Sequence, residues 1–227
     1  MLVKNWMSKS MITVDLDDSM KAAMQLMEDY NIRRIPVLKE DKLVGIVSYL
    51  DVNRESTPQA NALAIREIKH LIEKVKVKDI MSINPKTISP DDTVEDAAVV
   101  MLEKKIGSLP VVDSNKKLVG IITESDIFKL LISMTGIRQG GFQFGFNLPD
   151  KSGSIKEVVD IFRSYGAIIL SIMTSYERAE DGYRHVYIRA KNIDRSKLDS
   201  LRHELERYDL LYTVDNAEKT RKIFYEF

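Results

Sequence analysis

The first half of the chain is written twice, and this constrains its fold more than any other feature. Residues 3–52 and 77–127 align with one extra residue before Leu118, and 18 aligned positions then carry the same residue. Others, such as Met20 and Val94, Leu26 and Val100, Ile35 and Leu109, and Val47 and Ile122, exchange one apolar side chain for another. A unit this short buries little core alone, so the two copies are expected to pack as a pseudo-symmetric pair. A pair has clefts between its halves, and small ligands favour such clefts.

Each copy has the same internal order. A Met-Ser pair opens it, Met7-Ser8 and Met81-Ser82, followed by a short β-prone stretch. Asp17-Asp18-Ser19 and Asp91-Asp92-Thr93 then read as helix starts. Glu95, three residues after Asp92, suggests a capping-box pair in the second copy. Met20, Ala23, Met24 and Met27 form one helical stripe, and Val94, Ala97, Ala98 and Met101 form its counterpart. Two apolar strands and a closing helix from Ser48 or Thr123 complete the unit. The boundaries expected are 1–56 for the first repeat and 77–136 for the second. Between them, 57–76 carries Ile65, Ile68, Ile72 and Val75 at helical spacing, an inserted helix that packs on its own chain or on a partner subunit.

A second domain is expected over 140–215, after the flexible pair Gly140-Gly141. Phe142, Phe144, Phe146 and Leu148 alternate with smaller or polar residues, the pattern of a strand with one apolar face. The order that follows is helix, strand, strand, helix, strand, which makes a ferredoxin-like βαββαβ unit. The fold class is therefore α/β (α+β), two β-α-β-β-α repeats and then a βαββαβ domain. The tail, 216–227, reads as a docking segment or a frayed end.

Composition narrows the chemistry. The formal charge balances at zero, with no basic stripe, which argues against nucleic acid or an anionic membrane as partner. There are no cysteines, and His70, His185 and His203 show no metal-ligand spacing. No P-loop, dinucleotide fingerprint or nucleophile elbow appears. No stretch approaches membrane-spanning length, and the N-terminus lacks the apolar run of a signal peptide. A cytoplasmic, non-catalytic protein without metal or catalytic cofactor is expected.

The strongest local motif is Gly45-Ile-Val-Ser48-Tyr-Leu-Asp51, echoed as Gly120-Ile-Ile-Thr123-Glu-Ser-Asp126. A hydroxyl at a helix start lies beside free N–H groups and the positive end of the dipole, where a phosphate binds well. A carboxylate three residues on can accept from two ribose hydroxyls. The same spacing also makes a capping box that needs no ligand.

With the V-x-x-x-M opening, the D-D-[ST] helix start and the h-P-V-h strand, this motif makes residues 3–132 resemble a tandem pair of cystathionine-β-synthase (CBS) domains, a Bateman module. The resemblance implies Ser48 and Asp51 for one cleft, Thr123 and Asp126 for the other, with hydroxyl on phosphate and aspartate on ribose. It also implies an adenine pocket of backbone near Thr13, Ile35, Pro36, Thr87, Leu109 and Pro110. Arg33 and Arg34 beside the first proline strand, and Lys104 and Lys105 before the second, are the basic residues available to further phosphates, with the arginine fork the better match. AMP, ADP or ATP is the expected regulatory ligand.

The βαββαβ order and the D-x-x-G turn Asp150–Gly153 make residues 140–215 resemble an ACT domain. That resemblance implies an amino acid or similar ligand at Asn147, Asp150, Gly153 and Ser154, though a plain turn and N-cap would also produce the motif. A CBS pair followed by an ACT domain, with no catalytic domain, resembles the acetoin-utilisation regulatory proteins. The whole implies a regulatory sensor, in a homodimer with an unidentified protein partner. The alternative is a scaffold that binds no ligand.

Overall fold

The computed structural model describes residues 1–49, 51, 75–216 and 220–223. These fall into two compact units, Met1–Phe128 and Lys129–Phe227. The inserted helix expected over 57–76 lies outside the described residues except at its end, where Lys76 is extended and bridges Ser19.

In the first unit, repeat one comprises β1 (Val14–Asp15), α1 (Met20–Asp29), β2 (Arg34–Lys39) and β3 (Lys42–Ser48). Repeat two comprises α2 (Val77–Ile80), β4 (Ser82–Ile83), α3 (Val94–Lys104), β5 (Ser108–Val112) and β6 (Leu118–Thr123), and α4 (Glu124–Met134) follows. The apolar stripe of α1 faces inward as its spacing requires: Met20, Ala23 and Met27 are buried with Ile35, Val37 and Val47. Ser19 caps α1 by accepting from the Ala22 N–H. In α3 the capping pair is Thr93 with Asp96, one residue later than the Asp92–Glu95 pair expected. Glu95 instead takes the N-terminal ammonium at 2.9 Å.

The repeats exchange their opening segments. Ser82 and Ile83 pair with Ile46 and Gly45 on the edge of the first repeat's sheet, and Ser8 bridges Ile121 of the second. The N–H of Val77 donates to the Asp18 carbonyl and that of Val3 to the Asp92 carbonyl, each at 2.9 Å. Lys4 and Lys78 repeat the relation as ion pairs with Asp91 and Asp17, each at 2.7 Å. Val77 is fully buried in the core of repeat one, and Val3 is as deeply buried. Each half thus completes its sheet and core with residues from the other, which is why the sequence needs two copies.

The second unit continues with β7 (Phe142–Pro149), α5 (Ser154–Ser164), β8 (Ile168–Ser175), β9 (Tyr183–Lys191), α6 (Leu198–Glu206), β10 (Leu210–Asp215) and β11 (Thr220–Ile223). Its antiparallel sheet runs β11-β10-β7-β9-β8. Phe142, Phe144, Phe146 and Leu148 lie on one face of β7 and join Val158, Phe162, Leu201 and Leu205 in the core. Phe144 and Phe162 meet edge to face at 4.8 Å. The tail expected to dock or fray holds a strand: β11 extends the sheet by pairing with β10 from Tyr212↔Ile223 to Asp215↔Thr220. Among the described residues no helix is long and apolar enough to cross a membrane.

Candidate ligand sites

Both repeats build a helix start from the same parts. Ser48 ends β3 opposite Arg34, and the Tyr49 N–H donates to the Arg33 carbonyl at 2.9 Å. Thr123 ends β6 opposite Ser108, and the Glu124 N–H donates to the Gly107 carbonyl at 3.2 Å. The preceding strand thus fixes where each helix begins.

Asp51 Oδ2 accepts from the Ser48 N–H at 2.9 Å and from its hydroxyl at 2.6 Å, while Ser48 Oγ accepts from the Asp51 N–H at 3.3 Å. Thr123 and Asp126 repeat the set at 3.0, 2.7 and 3.4 Å. These are reciprocal caps, and each commits one carboxylate oxygen to its own helix. Thr93 and Asp96 make the same three bonds at 3.1, 2.6 and 3.0 Å, at a helix start where the sequence implies no ligand. The triad by itself therefore says nothing of a ligand. Burial separates the three acids: Asp126 is 5 % exposed and Asp51 half-buried, whereas Asp96 is exposed.

The other expected residues scatter in burial. Ile35 and Leu109 are fully buried and Pro36 and Pro110 are buried, so their side chains belong to the core. Thr13 is half-buried just before β1, and Thr87 is exposed just before the Ile88–Val111 bridge. Arg33 is exposed. Arg34 belongs to β2 of repeat one, yet its guanidinium lies against repeat two. A Cβ built on Gly107 would stand 2.7 and 2.8 Å from its Nη atoms, and 2.7 Å from Glu124 Oε2. A side chain at this position would make one or both of these flexible tips shift. Glu124 and Gly107 were not among the residues expected from sequence. The alignment held the signal, because here the copies differ: Arg33 and Arg34 become Gly107 and Ser108, and Tyr49 becomes Glu124.

In the second unit the expected turn is built around a residue the sequence did not single out. Arg184 reaches Asp150 Oδ1 at 3.3 Å and donates to Ser154 Oγ at 3.4 Å. Ser154 is buried and donates to the Lys151 carbonyl. Gly153 precedes α5 with φ of +90° and offers no side-chain cap. Asn147 turns away to Asp209, donating from Nδ2 to its Oδ2 at 3.0 Å. On β9, Arg189 is 3 % exposed and donates to the Thr135 carbonyl at 2.8 Å and to Gln143 Oε1 at 3.0 Å. Burial lowers its pKa. Among the described residues no group of histidine, aspartate and glutamate could hold a metal ion.

The CBS-domain family profile matches residues 3–57 and 77–133, the two repeats. A CBS domain-containing protein of Dictyostelium discoideum is 34 % identical over 139 residues, covering 59 % of this chain and 92 % of that one. The chain belongs to the CBS-domain family. Its CBS pair also resembles part of an inosine-5′-monophosphate dehydrogenase from Korarchaeum cryptofilum, 34 % identical over 55 % of this chain but only 23 % of the enzyme. Among solved structures, an acetoin utilization protein (AcuB) from Vibrio cholerae is 29 % identical with a TM-score of 0.50, covering 61 % of this chain and 96 % of that one. The CBS-pair protein CBSX2 from Arabidopsis thaliana is 25 % identical with a TM-score of 0.51, covering 62 % and 98 %.

Proposed function

We propose that this CBS-family protein is a non-catalytic regulatory sensor whose two clefts take adenine nucleotides, AMP, ADP or ATP. Ser48 and Thr123 would meet phosphate, and Asp51 and Asp126 the ribose. The observation that carries this reading is the contrast in burial among three identically capped aspartates: Asp126 is almost fully buried and Asp51 half-buried, whereas Asp96 is exposed. Ile35, Pro36, Leu109 and Pro110 would offer main chain to the adenine, beside Thr13 and Thr87. A melting scan tests the proposal. Nucleotide at a hundred times its dissociation constant adds about 2.7 kcal/mol, or roughly 5–10 °C for a domain of this size.

The second unit acts in this proposal as an ACT domain. An amino acid carboxylate would bind at the Gly153–Ser154 end of α5 beside Arg184. Its ammonium would meet Asp150, and Asn147 stays with Asp209. Helix α4 is the coupling element: it begins at the Thr123–Asp126 cap, and the carbonyl of Thr135 just beyond its end accepts from Arg189 and Ser171. A ligand that shifts the cap bonds would act on the segment that Arg189 holds. Such a shift extends only as far as the ligand's difference in affinity for the two states. Homodimerisation is supported by exposed apolar residues on α3 and α4: Leu102 at 82 %, Phe128 at 62 % and Val99 at 53 %.

A second reading, a scaffold that binds no ligand, is favoured by the identical triad at Thr93–Asp96. No change in melting temperature with AMP, ADP or ATP would support it.

A further inference from the structure

The second unit buries a cation that no acid neutralises. In β9 the side chains of Val186, Ile188 and Ala190 enter the core beneath the helices, so His185, Tyr187 and Arg189 lie on the opposite face of the sheet. Arg189 is 3 % exposed. Its acceptors are neutral, the Thr135 carbonyl for Nε and Gln143 Oε1 for Nη2, and its Nη1 is buried without a hydrogen-bond partner. The strand positions on this face of β7, β8, β9 and β10 hold no aspartate or glutamate. A buried guanidinium left with neutral acceptors and an idle N–H is costly, and a bound anion removes both costs.

Two tyrosines converge on the same place. Gly145 lies opposite Tyr187 of β9 and Tyr212 of β10. Because Gly145 has no side chain, the Tyr212 ring lies across it: a Cβ there would stand 2.4 Å from Cε1 and 2.8 Å from Cζ. That ring stacks with Tyr187 at 6.4 Å. Burial, and then Tyr187, raise the pKa of Tyr212 while Arg189 lowers it, so the hydroxyl keeps its proton within electrostatic reach of the guanidinium. The set consists of donors, a guanidinium arm and phenol hydroxyls, walled by two half-buried rings. A carboxylate matches it, since its plane suits the fork and its one charge balances the one buried cation. A phosphate dianion brings a second charge that nothing there offsets. We infer that this face of the sheet binds a small monocarboxylate with an apolar or aromatic body. Arg189 Nη1 and the Tyr212 hydroxyl hold its carboxylate, and its body rests against the rings of Tyr187 and Tyr212. The Thr135 carbonyl, which also accepts from the Ser171 hydroxyl at 3.0 Å, fixes the Nε end of the guanidinium. The Gly153–Ser154 turn leads into α5, on the other side of the sheet, so this is a separate site.

Calorimetric titration of the full chain tests this with benzoate, butyrate and benzamide, the last a neutral match for benzoate in shape. At least one carboxylate should bind saturably, and benzoate should bind about tenfold tighter than benzamide, the worth of a charge-assisted hydrogen bond. Arg189→Gln should abolish that difference. Tyr212→Phe, which keeps the ring and removes the hydroxyl, should weaken the carboxylates severalfold and leave benzamide unchanged. Arg163→Gln, which removes an exposed arginine on α5, should change nothing. Melting temperatures of the unliganded variants confirm that each folds, and Tyr212→Phe serves as the test where Arg189→Gln does not. Benzamide as tight as benzoate, carboxylate binding that survives Arg189→Gln or is untouched by Tyr212→Phe, or no binding of either carboxylate overturns the inference.

Discussion

Met7, in the first repeat, lies against Gly120, in the last strand of the second. A Cβ on that glycine would stand 2.5 Å from the methionine sulfur. Met81 and Gly45 stand in the same relation: a Cβ on Gly45 would lie 2.4 Å from the Met81 sulfur. The two contacts are the core of the exchange that joins the repeats, and they account for a glycine in both Gly-Ile-Val-Ser and Gly-Ile-Ile-Thr. The glycine is needed for the other repeat's methionine, beside any role it has near a ligand.

Gly120→Ala should therefore destabilise the first unit by about 1–3 kcal/mol, because the new methyl also lies 3.1 Å from the Ser8 carbonyl oxygen, which cannot swing away. Met7→Ala alone loses packing. Combined, the two changes should cost less than their sum, since the smaller side chain makes room for the methyl. Urea midpoints of the four proteins measure the coupling, and strict additivity would mean that the residues do not touch.

The three capping acids separate stability from binding. Asp96→Ala should cost about 0.5–2 kcal/mol and leave nucleotide affinity unchanged. Asp51→Ala and Asp126→Ala remove the same cap bonds and should cost a similar amount, while also weakening the ligand. Thermal melts paired with titrations check this. An Asp96 variant that lost nucleotide as steeply would show that the effect runs through folding.

Acid should weaken the fold through a defined set of carboxylates. The lysine hydrogen bonds of Lys78, then Lys76, hold Asp17 below its usual pKa, and Lys156 does the same for Asp160. Asp96 is lowered by the Thr93 hydroxyl and Asp194 by that of Ser196. A depressed folded-state pKa gives stability that is fully present above the unfolded value, near ~4, and is lost as pH falls through the folded value. Urea midpoints should be flat from pH 7 to ~5 and fall below that. Added salt should shrink the share of Asp17 and Asp160, which are exposed ion pairs, more than that of Asp96 and Asp194.

Much of the fold was legible because its signals are local. The stripe of α1, the alternation of β7 and the two helix starts each depend on residues a few positions apart. The exchange of opening segments was not legible. Met7-Ser8 and Met81-Ser82 read as the opening of their own repeats, and nothing nearby in sequence says that they join the other repeat's sheet. The destination of Arg34 was hidden for the same reason: its neighbours in the chain belong to one repeat and its guanidinium to the other. Of the site, Ser48, Asp51, Thr123 and Asp126 stand together in pairs as their spacing requires, because i to i+3 is one helical turn. Arg184 was missed because an arginine in an alternating strand looks like any solvated charge, and only the fold brings it to Asp150 and Ser154.

The central claim is that the aspartates at two matched helix starts, Asp51 and Asp126, receive the ribose of an adenine nucleotide. Its most direct test is calorimetric titration of AMP, ADP and ATP into the wild type and into the double variant Asp51→Asn, Asp126→Asn, which keeps side chains of the same shape. The account predicts saturable binding of at least one nucleotide to the wild type. In the double variant that binding should be at least tenfold weaker, with the unliganded melting temperature within a few degrees of the wild type. Equal affinity in both proteins, or no binding to either, would contradict it.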